Sequence, residues 1–163
     1  MKHLIWIILL SMSTIKGYSQ DISVVRNEFQ KDTARIEEYV RNEMTGNTID
    51  FRQKMNYLEV EYDKLLNKYY KLLMSLLDDE GKKALKAAQI NWIKFQTADR
   101  ELLDNISKQI YQNMGGGTLS HFISAPLYPY IVKDRAIELY EYYSSVLDSK
   151  SKLLTILLQR LDA

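Results

Sequence analysis

Residues 55–76 constrain the fold most, because their apolar side chains recur without a break at alternating steps of three and four. This repeat consists of Met55, Leu58, Tyr62, Leu65, Tyr69, Leu72 and Leu76. Residues at this spacing share one side of an α-helix, and the pattern is typical of a helix within a bundle. A second stripe beside it consists of Leu66, Tyr70, Leu73 and Leu77. Two adjoining stripes predict that this helix, over about residues 50–78, packs against two neighbours.

The chain contains only two prolines and six glycines in 163 residues, which leaves other long stretches free to be helical. A first helix is predicted over about residues 21–44, with an apolar stripe of Val25, Phe29, Ile36 and Val40. Gly46 and Asn47 follow it, and either can adopt the left-handed conformation that ends helices. Asp50 is a suitable N-cap for the next helix.

A third helix is predicted over about residues 82–114, and Gly115–Gly117 ends it. The fourth begins between Pro126 and Tyr130 and continues through Leu161, with a bend expected near residues 149–151. No segment alternates with period two for long enough to indicate a strand. The prediction is therefore an all-α protein, an antiparallel bundle of about four helices in one domain over residues 20–163, since short connections favour antiparallel neighbours.

The stretch from Lys82 to Phe95 holds the most informative part of the third helix. Leu85, Ala88, Trp92 and Phe95 recur at steps of three and four, so they share one face of the helix. We expect Trp92 to be mostly buried against the second and fourth helices, with Phe95 as a second large anchor. Gln89 lies beside this stripe, where its amide is expected to satisfy a polar group of a neighbouring helix.

The first nineteen residues have the pattern of a secretory signal peptide. A basic start at Lys2 precedes an apolar run over residues 4–15, and Gly17 and Ser19 are small residues at the positions that a signal peptidase reads. Cleavage is expected after Ser19 or Gln20. The alternative is an uncleaved anchor, although the run is shorter than the roughly 20 apolar residues that span a bilayer. The chain has no cysteine, which excludes a lipid anchor attached through one, so the expected location is the periplasm or outside the cell, with no membrane contact after cleavage.

Charge and cysteine content exclude several classes of protein. Removing residues 1–19 takes away two lysines and no acid, which changes the net charge from +1 to −1. A near-neutral chain lacks the basic surface expected of a nucleic-acid-binding protein. With no cysteine, the exported domain has neither disulfides nor thiolate chemistry and depends on packing alone.

No motif indicates catalysis, a cofactor or a metal. His121 is the only histidine after the signal segment, and the chain has no histidine pair at metal-ligand spacing. Acidic pairs such as Glu138 and Glu141 are interpreted as solvated helix faces. No nucleophile–base pair, phosphate loop or dinucleotide fingerprint occurs, so the prediction is a non-enzymatic protein without cofactor.

The irregular segment from Gly115 to Tyr130 is the candidate binding element, because loops held on a rigid scaffold commonly carry function. Its candidate residues are Gly117, Thr118, Ser120, His121, Tyr128 and Tyr130. The small donors and the histidine can offer hydrogen bonds to a partner, and the tyrosines combine an apolar body with a polar tip. The alternative is that the glycines only end a helix and the tyrosines are half-buried packing residues.

An ordered set of motifs resembles a known family. The first is Asp63-x-x-Leu66-Asn67-x-x-Tyr70, followed by Leu85-x-x-Ala88-Gln89-x-x-Trp92-x-x-Phe95, then Gly116-Gly117-Thr118 and Arg135-Ala136-x-Glu138-Leu139. Together they resemble the lysozyme inhibitor LprI-like family of small exported bacterial domains, over about residues 53–143. The resemblance implies a non-enzymatic protein that binds a lysozyme, with no catalytic residue to carry over. It also implies cysteines that this chain lacks, and Arg100 stands about where one of them would fall.

Two further expectations follow from this set. Asp63 and Arg135 both lie among apolar positions, so we expect them to be close, as an ion pair or within a network that includes Asn67 or Gln89. Besides the lysozyme-inhibitor function, the alternative is a structural or envelope-associated module that binds a protein, a peptide or a peptidoglycan fragment.

Overall fold

The protein is an all-α bundle, as predicted. The computed structural model describes residues 22–42, 48–116 and 127–161, and these ranges contain four helices and no strand. The helices are α1 (Ile22–Asn42), α2 (Thr48–Leu76), α3 (Asp79–Asn113) and α4 (Leu127–Leu161). In these ranges no helix is long and apolar enough to cross a membrane.

The ends of α3 follow from capping chemistry. The helix begins three residues before the predicted Lys82, because the Asp78 side chain accepts a hydrogen bond of 2.8 Å from the Gly81 backbone N–H. At the other end Gly115 and Gly116 have φ values of +69° and +101°. Only glycine adopts such values readily, so these two residues stop the helix as predicted.

Consecutive helices run antiparallel. Between α1 and α2, Asp32 accepts a hydrogen bond of 3.0 Å from Lys68, whereas Arg35, later in α1, donates one of 3.1 Å to Glu61, earlier in α2. Because the contacts come in opposite order along α1 and α2, the two helices run in opposite directions. The prediction that neighbours in sequence run antiparallel is confirmed.

The two central helices, α2 and α4, run parallel and have the closest backbone packing in the bundle. Lys133 lies 5.5 Å from the Tyr62 ring, and Lys150 donates a hydrogen bond of 2.6 Å to the Leu76 carbonyl. The contacts therefore advance together along both helices. Their parallel direction follows from the topology, because α3 returns the chain to the end at which α2 began.

The core lies mainly on α2 and α4, with α1 covering one side of the pair. Its buried apolar residues are Val25, Ile36, Met55, Leu58, Tyr62, Leu65, Leu66, Tyr69, Leu73, Leu76, Leu85, Val132, Ala136, Leu139, Tyr143 and Leu147. Both predicted stripes of α2 contribute to this set, and their remaining members, Tyr70, Leu72 and Leu77, pack against it while partly buried. The prediction that α2 contacts more than one neighbour is confirmed.

Helix α3 is much less buried than its apolar pattern predicts. Leu85 is its one fully buried residue, whereas Phe95 is 59% and Leu102 55% exposed. Trp92 is partly buried and packs against the core, as expected. The expectation that Phe95 anchors the core is wrong. The physical reason is that α3 lies farther from the central pair than α2 and α4 lie from each other, so only a narrow strip of its surface faces inward.

Helix α4 continues without interruption through residues 149–151, where a bend was expected. Lys150 of α4 lies level with the last residue of α2, because it donates a hydrogen bond to the Leu76 carbonyl. Beyond this point α4 extends past its neighbour, and Leu153, Ile156, Leu157 and Leu158 are exposed.

Candidate functional site

The motif residues Gln89, Trp92 and Arg135 lie together between α3 and α4. The Arg135 side chain is only 7% exposed, and its Nε donates a hydrogen bond of 3.1 Å to Gln89 Oε1. Its guanidinium carbon lies 6.0 Å from the centre of the Trp92 ring. Because Gln89 and Trp92 are three residues apart on α3, both reach the same arginine. The expected contact between Gln89 and a neighbouring helix is confirmed.

Glu138 and Tyr142 extend this cluster along α4. Arg135 Nη1 donates a hydrogen bond of 2.6 Å to Glu138 Oε2, and the Tyr142 hydroxyl donates one of 2.6 Å to Glu138 Oε1. Burial raises the pKa of Glu138, but the hydrogen bonds from Tyr142 and Arg135 outweigh burial and leave this pKa below its ordinary value. Hydrogen bonding to the Glu138 carboxylate raises the pKa of Tyr142. Glu138 therefore keeps the partly solvated position expected for it and in addition pairs with Arg135 and Tyr142.

Asp63 does not pair with Arg135. Its side chain is exposed, and the Asn67 amide donates to both the Asp63 carboxylate, at 3.0 Å, and the Asp63 backbone carbonyl, at 2.8 Å. The preceding residue, Tyr62, and Leu66 occupy the inward positions of this helical turn, which turns Asp63 to solvent. The expected Asp63–Arg135 contact is wrong, and Arg135 satisfies its charge within α3 and α4.

An open groove of about 560 Å³ lies beside the Arg135 cluster. Its walls are mostly apolar, and its lining consists of Leu73, Leu77, Gly81, Ala84, Leu85, Ala88, Arg135, Glu138, Tyr142, Ser145 and Val146. Arg135 Nη2 is buried and has no hydrogen-bond acceptor within the described ranges. A buried N–H without an acceptor is unfavourable, so Nη2 weakens the stabilising contribution of Arg135 to this interface.

A second polar network fixes the beginning of α4. The Tyr128 hydroxyl donates a hydrogen bond to Asp104 Oδ1, and Arg100 lies 5.0 Å from the Tyr128 ring while pairing with Glu59. Burial, together with the hydrogen bond to Asp104, raises the pKa of Tyr128 to about 12. The network joins α2, α3 and α4 at the position where α4 begins, so it holds the first turn of α4 against the other two helices.

The other predicted binding tyrosine is accessible. Tyr130 is 48% exposed, and Lys133 Nζ lies 5.9 Å from the centre of its ring. Pro129, between the two tyrosines in the first turn of α4, is fully buried. The remaining predicted binding residues, Gly117, Thr118, Ser120 and His121, lie outside the described residues.

Sequence reasoning did not place five residues in the two networks, namely Glu59 of α2, the pair Arg100 and Asp104 of α3, and the pair Glu138 and Tyr142 of α4. Helices α3 and α4 each carry their pair at a spacing of four, which places the two side chains on one face. That spacing was the available signal. It is common on solvated helices, however, and only the contacts with Tyr128 and Arg135 distinguish these pairs from ordinary surface charges.

Within the described ranges no group of three or more histidine, cysteine, aspartate or glutamate side chains is placed to hold a metal ion.

One of three comparisons with known proteins finds a match that includes the motif cluster. No curated protein and no solved structure matches the chain. A family model described as "Lysozyme inhibitor LprI" matches residues 41–139, more than half of the sequence, and this range contains the Gln89, Trp92 and Arg135 cluster. The chain belongs to the LprI lysozyme inhibitor family.

Proposed function

We propose that the protein is exported, has no catalytic activity of its own, and binds and inhibits a lysozyme. The observation that carries this proposal is the family match over residues 41–139. The proposed contact surface is the end of the bundle at which α4 begins, with Tyr128 and Tyr130 together with Gly117, Thr118, Ser120 and His121.

The chemistry of this end suits an enzyme cleft that holds sugar. A glycosidase of this type has two carboxyl groups beside the scissile bond and polar groups that hydrogen-bond sugar hydroxyls. A protein that blocks it needs a firm projection carrying donors and a flat apolar surface. Tyr130 supplies an exposed ring with a hydroxyl, and Thr118, Ser120 and His121 supply donors. The Tyr128–Asp104 hydrogen bond and the Arg100–Glu59 ion pair hold Tyr128 in place, which limits the entropy that this side chain loses on binding.

The test is a turbidity assay of bacterial cell-wall lysis by purified lysozymes of several classes. We expect the parent protein to slow lysis by at least one class. A variant with Thr118, Ser120 and His121 replaced by alanine should lose inhibition while its melting temperature is unchanged. The matched control replaces Ser149, Lys152 and Thr155, which are exposed at the far end of α4, and should inhibit like the parent. No inhibition by the parent in any class would refute the proposal.

Export is a separate part of the proposal. Expression of the full chain in a bacterium, followed by intact-mass measurement of the protein in the periplasm or medium, should give a chain that begins at Gln20 or Asp21. A full-length product that stays with the membrane would instead support the uncleaved anchor.

The groove favours a second candidate function, that of an envelope module that binds a peptide or a peptidoglycan fragment. The specific observation is the open, mostly apolar groove whose lining includes the charged residues Arg135 and Glu138. Calorimetry with peptidoglycan stem peptides should then detect binding that Arg135→Lys weakens and that amidation of the peptide carboxylates abolishes. Absence of heat with the parent protein would remove this candidate.

A further inference from the structure

One face of α3 is exposed along its whole length and carries no charge. It consists of Ala84, Ala88, Asn91, Phe95, Ala98, Leu102, Asn105 and Gln109, which we call the uncharged face. Charged residues make up 26% of the sequence. A helix face of this length without one is therefore unusual for a surface that meets only water, and it exposes two large apolar side chains, Phe95 and Leu102.

The uncharged face has the spacing of a coiled-coil seam. Its eight residues follow one another at alternating steps of four and three, as the a and d positions of a heptad do. The stretch from Ala84 to Gln109 is about 38 Å long at 1.5 Å per residue. Leu85 and Trp92, which pack against the core, lie on the adjoining side of α3, and of the uncharged face only Ala84 and Ala88 line the groove beside Arg135. A helix on the uncharged face therefore meets α3 without displacing the core.

We propose that the uncharged face binds the same face of a second copy of this chain, with the two α3 helices antiparallel. In the register that pairs Phe95 with Ala98 of the second copy, Ala88 faces Asn105 and Asn91 faces Leu102. The bulky Phe95 ring thus lies opposite a methyl group. Three alanines in the face allow the backbones to approach closely, as interdigitated packing requires.

Charge complementarity supports the second copy as the occupant and the antiparallel direction. Lys94 and Glu101 both occupy the g position, on the solvent edge of the face, and both are exposed. In the register above, Lys94 lies within about two residues, or roughly 3 Å along the axis, of Glu101 of the second copy. Two-fold symmetry makes this contact twice, and g-position charges of this kind set partner choice and orientation in helix pairs.

Sedimentation equilibrium of the purified chain tests the proposal, with no lysozyme present, so that its outcome is independent of the proposed inhibition. We expect a reversible dimer at concentrations up to about 100 µM. Ala98→Glu should raise the dimer Kd by at least about 100-fold, because it buries two unpaired charges. The matched control is Ala34→Glu, the same change at an exposed alanine of α1, which should leave the Kd unchanged. Circular dichroism should show all three proteins equally helical.

Charge exchange tests the direction. Lys94→Glu alone should raise the Kd about threefold to tenfold, and adding Glu101→Lys should restore it, because the pair re-forms with signs reversed. Cysteine cross-linking gives a second readout, since the parent has no cysteine. Ala88→Cys should form a disulfide with Asn105→Cys when the two proteins are mixed, and neither should cross-link with itself. A monomer at every concentration, a dimer unaffected by Ala98→Glu, or cross-linking of Ala88→Cys with itself would each overturn the proposal.

Discussion

Replacement of Arg135 tests how α3 is held to the rest of the bundle. The side chain is 7% exposed and contacts Gln89, Glu138 and the Trp92 ring. Arg135→Ala removes those contacts and the burial of the aliphatic stem. We expect the free energy of unfolding to fall, and we expect the fall to exceed that of any substitution at Asp63.

The magnitude follows from the individual contributions. Burial of roughly three methylene groups is worth about 2 kcal/mol. The hydrogen bond to Gln89 adds about 1.5 kcal/mol, since its donor is charged. The Glu138 pair adds about 0.5 kcal/mol, because the Glu138 side chain is 41% exposed and the pair is screened. Removal of the unpartnered Nη2 offsets about 1 kcal/mol. The net loss is about 2–4 kcal/mol, which corresponds to a fall in Tm of roughly 5–15 °C for a chain of this size.

The assay is urea unfolding followed by circular dichroism, with two further variants. Arg135→Met keeps most of the stem packing, so it should lose no more than about 1 kcal/mol. Asp63→Ala should change stability by less than about 0.5 kcal/mol, because Asp63 is exposed. Equal losses for Asp63→Ala and Arg135→Ala, or no loss for Arg135→Ala, would refute this account of the interface.

Three further predictions concern the core, a buried amine and pH. Leu139→Ala, at a position with 0% exposure, should reduce the free energy of unfolding by about 3–5 kcal/mol in urea titrations, whereas Leu157→Ala, at an exposed site of the same helix, should lose less than about 1 kcal/mol; equal losses would contradict the assigned core. Lys54 is 2% exposed, and its Nζ, 3.9 Å from Asp50, has no hydrogen-bond acceptor in the described part of the chain; Lys54→Met should therefore leave the melting temperature unchanged or raise it, and a clear decrease would show that the amine is needed. Burial raises the pKa of Glu37, but hydrogen bonds from Lys133 and Tyr62 outweigh burial and hold this pKa below its ordinary value of 4.5. A carboxyl group whose pKa is lowered in the folded state stabilises the protein at higher pH, and this contribution is lost as the pH falls through the folded pKa. Unfolding measured from pH 6 downward should therefore show a loss of stability below about 4.5 that Glu37→Gln reduces, and an identical pH profile for the variant would count against this prediction.

The bundle could be predicted from the sequence because its helices carry strong local signals. The stripes of α2 contain seven and four residues, and Asp78 and Gly115–Gly116 mark the two ends of α3. Such signals depend only on the residues of one helix. The contact of Gln89 with a neighbouring helix could be predicted because a polar residue beside an apolar stripe needs a hydrogen-bonding partner, although the sequence did not identify Arg135 as that partner.

The wrong predictions on Phe95 and Asp63 share one cause. The spacing of Leu85, Trp92 and Phe95 shows that they lie on one side of a helix, but it does not show how wide a strip the neighbours cover. That width depends on the distance between helices, which is set by the side chains of α2 and α4. The expectation for Asp63 was wrong for the same reason, because adjacent residues of a helix point in different directions and the residue after a buried one can be exposed. The exposed Phe95 and Leu102 left by this geometry form part of the proposed dimer contact.

The contact surface with lysozyme is the central claim, and hydrogen–deuterium exchange tests it most directly. The purified chain should be compared alone and in the presence of a saturating amount of a lysozyme that it inhibits. We predict that backbone amides within residues 115–133 exchange more slowly in the complex, while those of residues 145–161 are unchanged. Absence of a complex with every lysozyme class, or new protection confined to regions outside residues 115–133, would contradict the account.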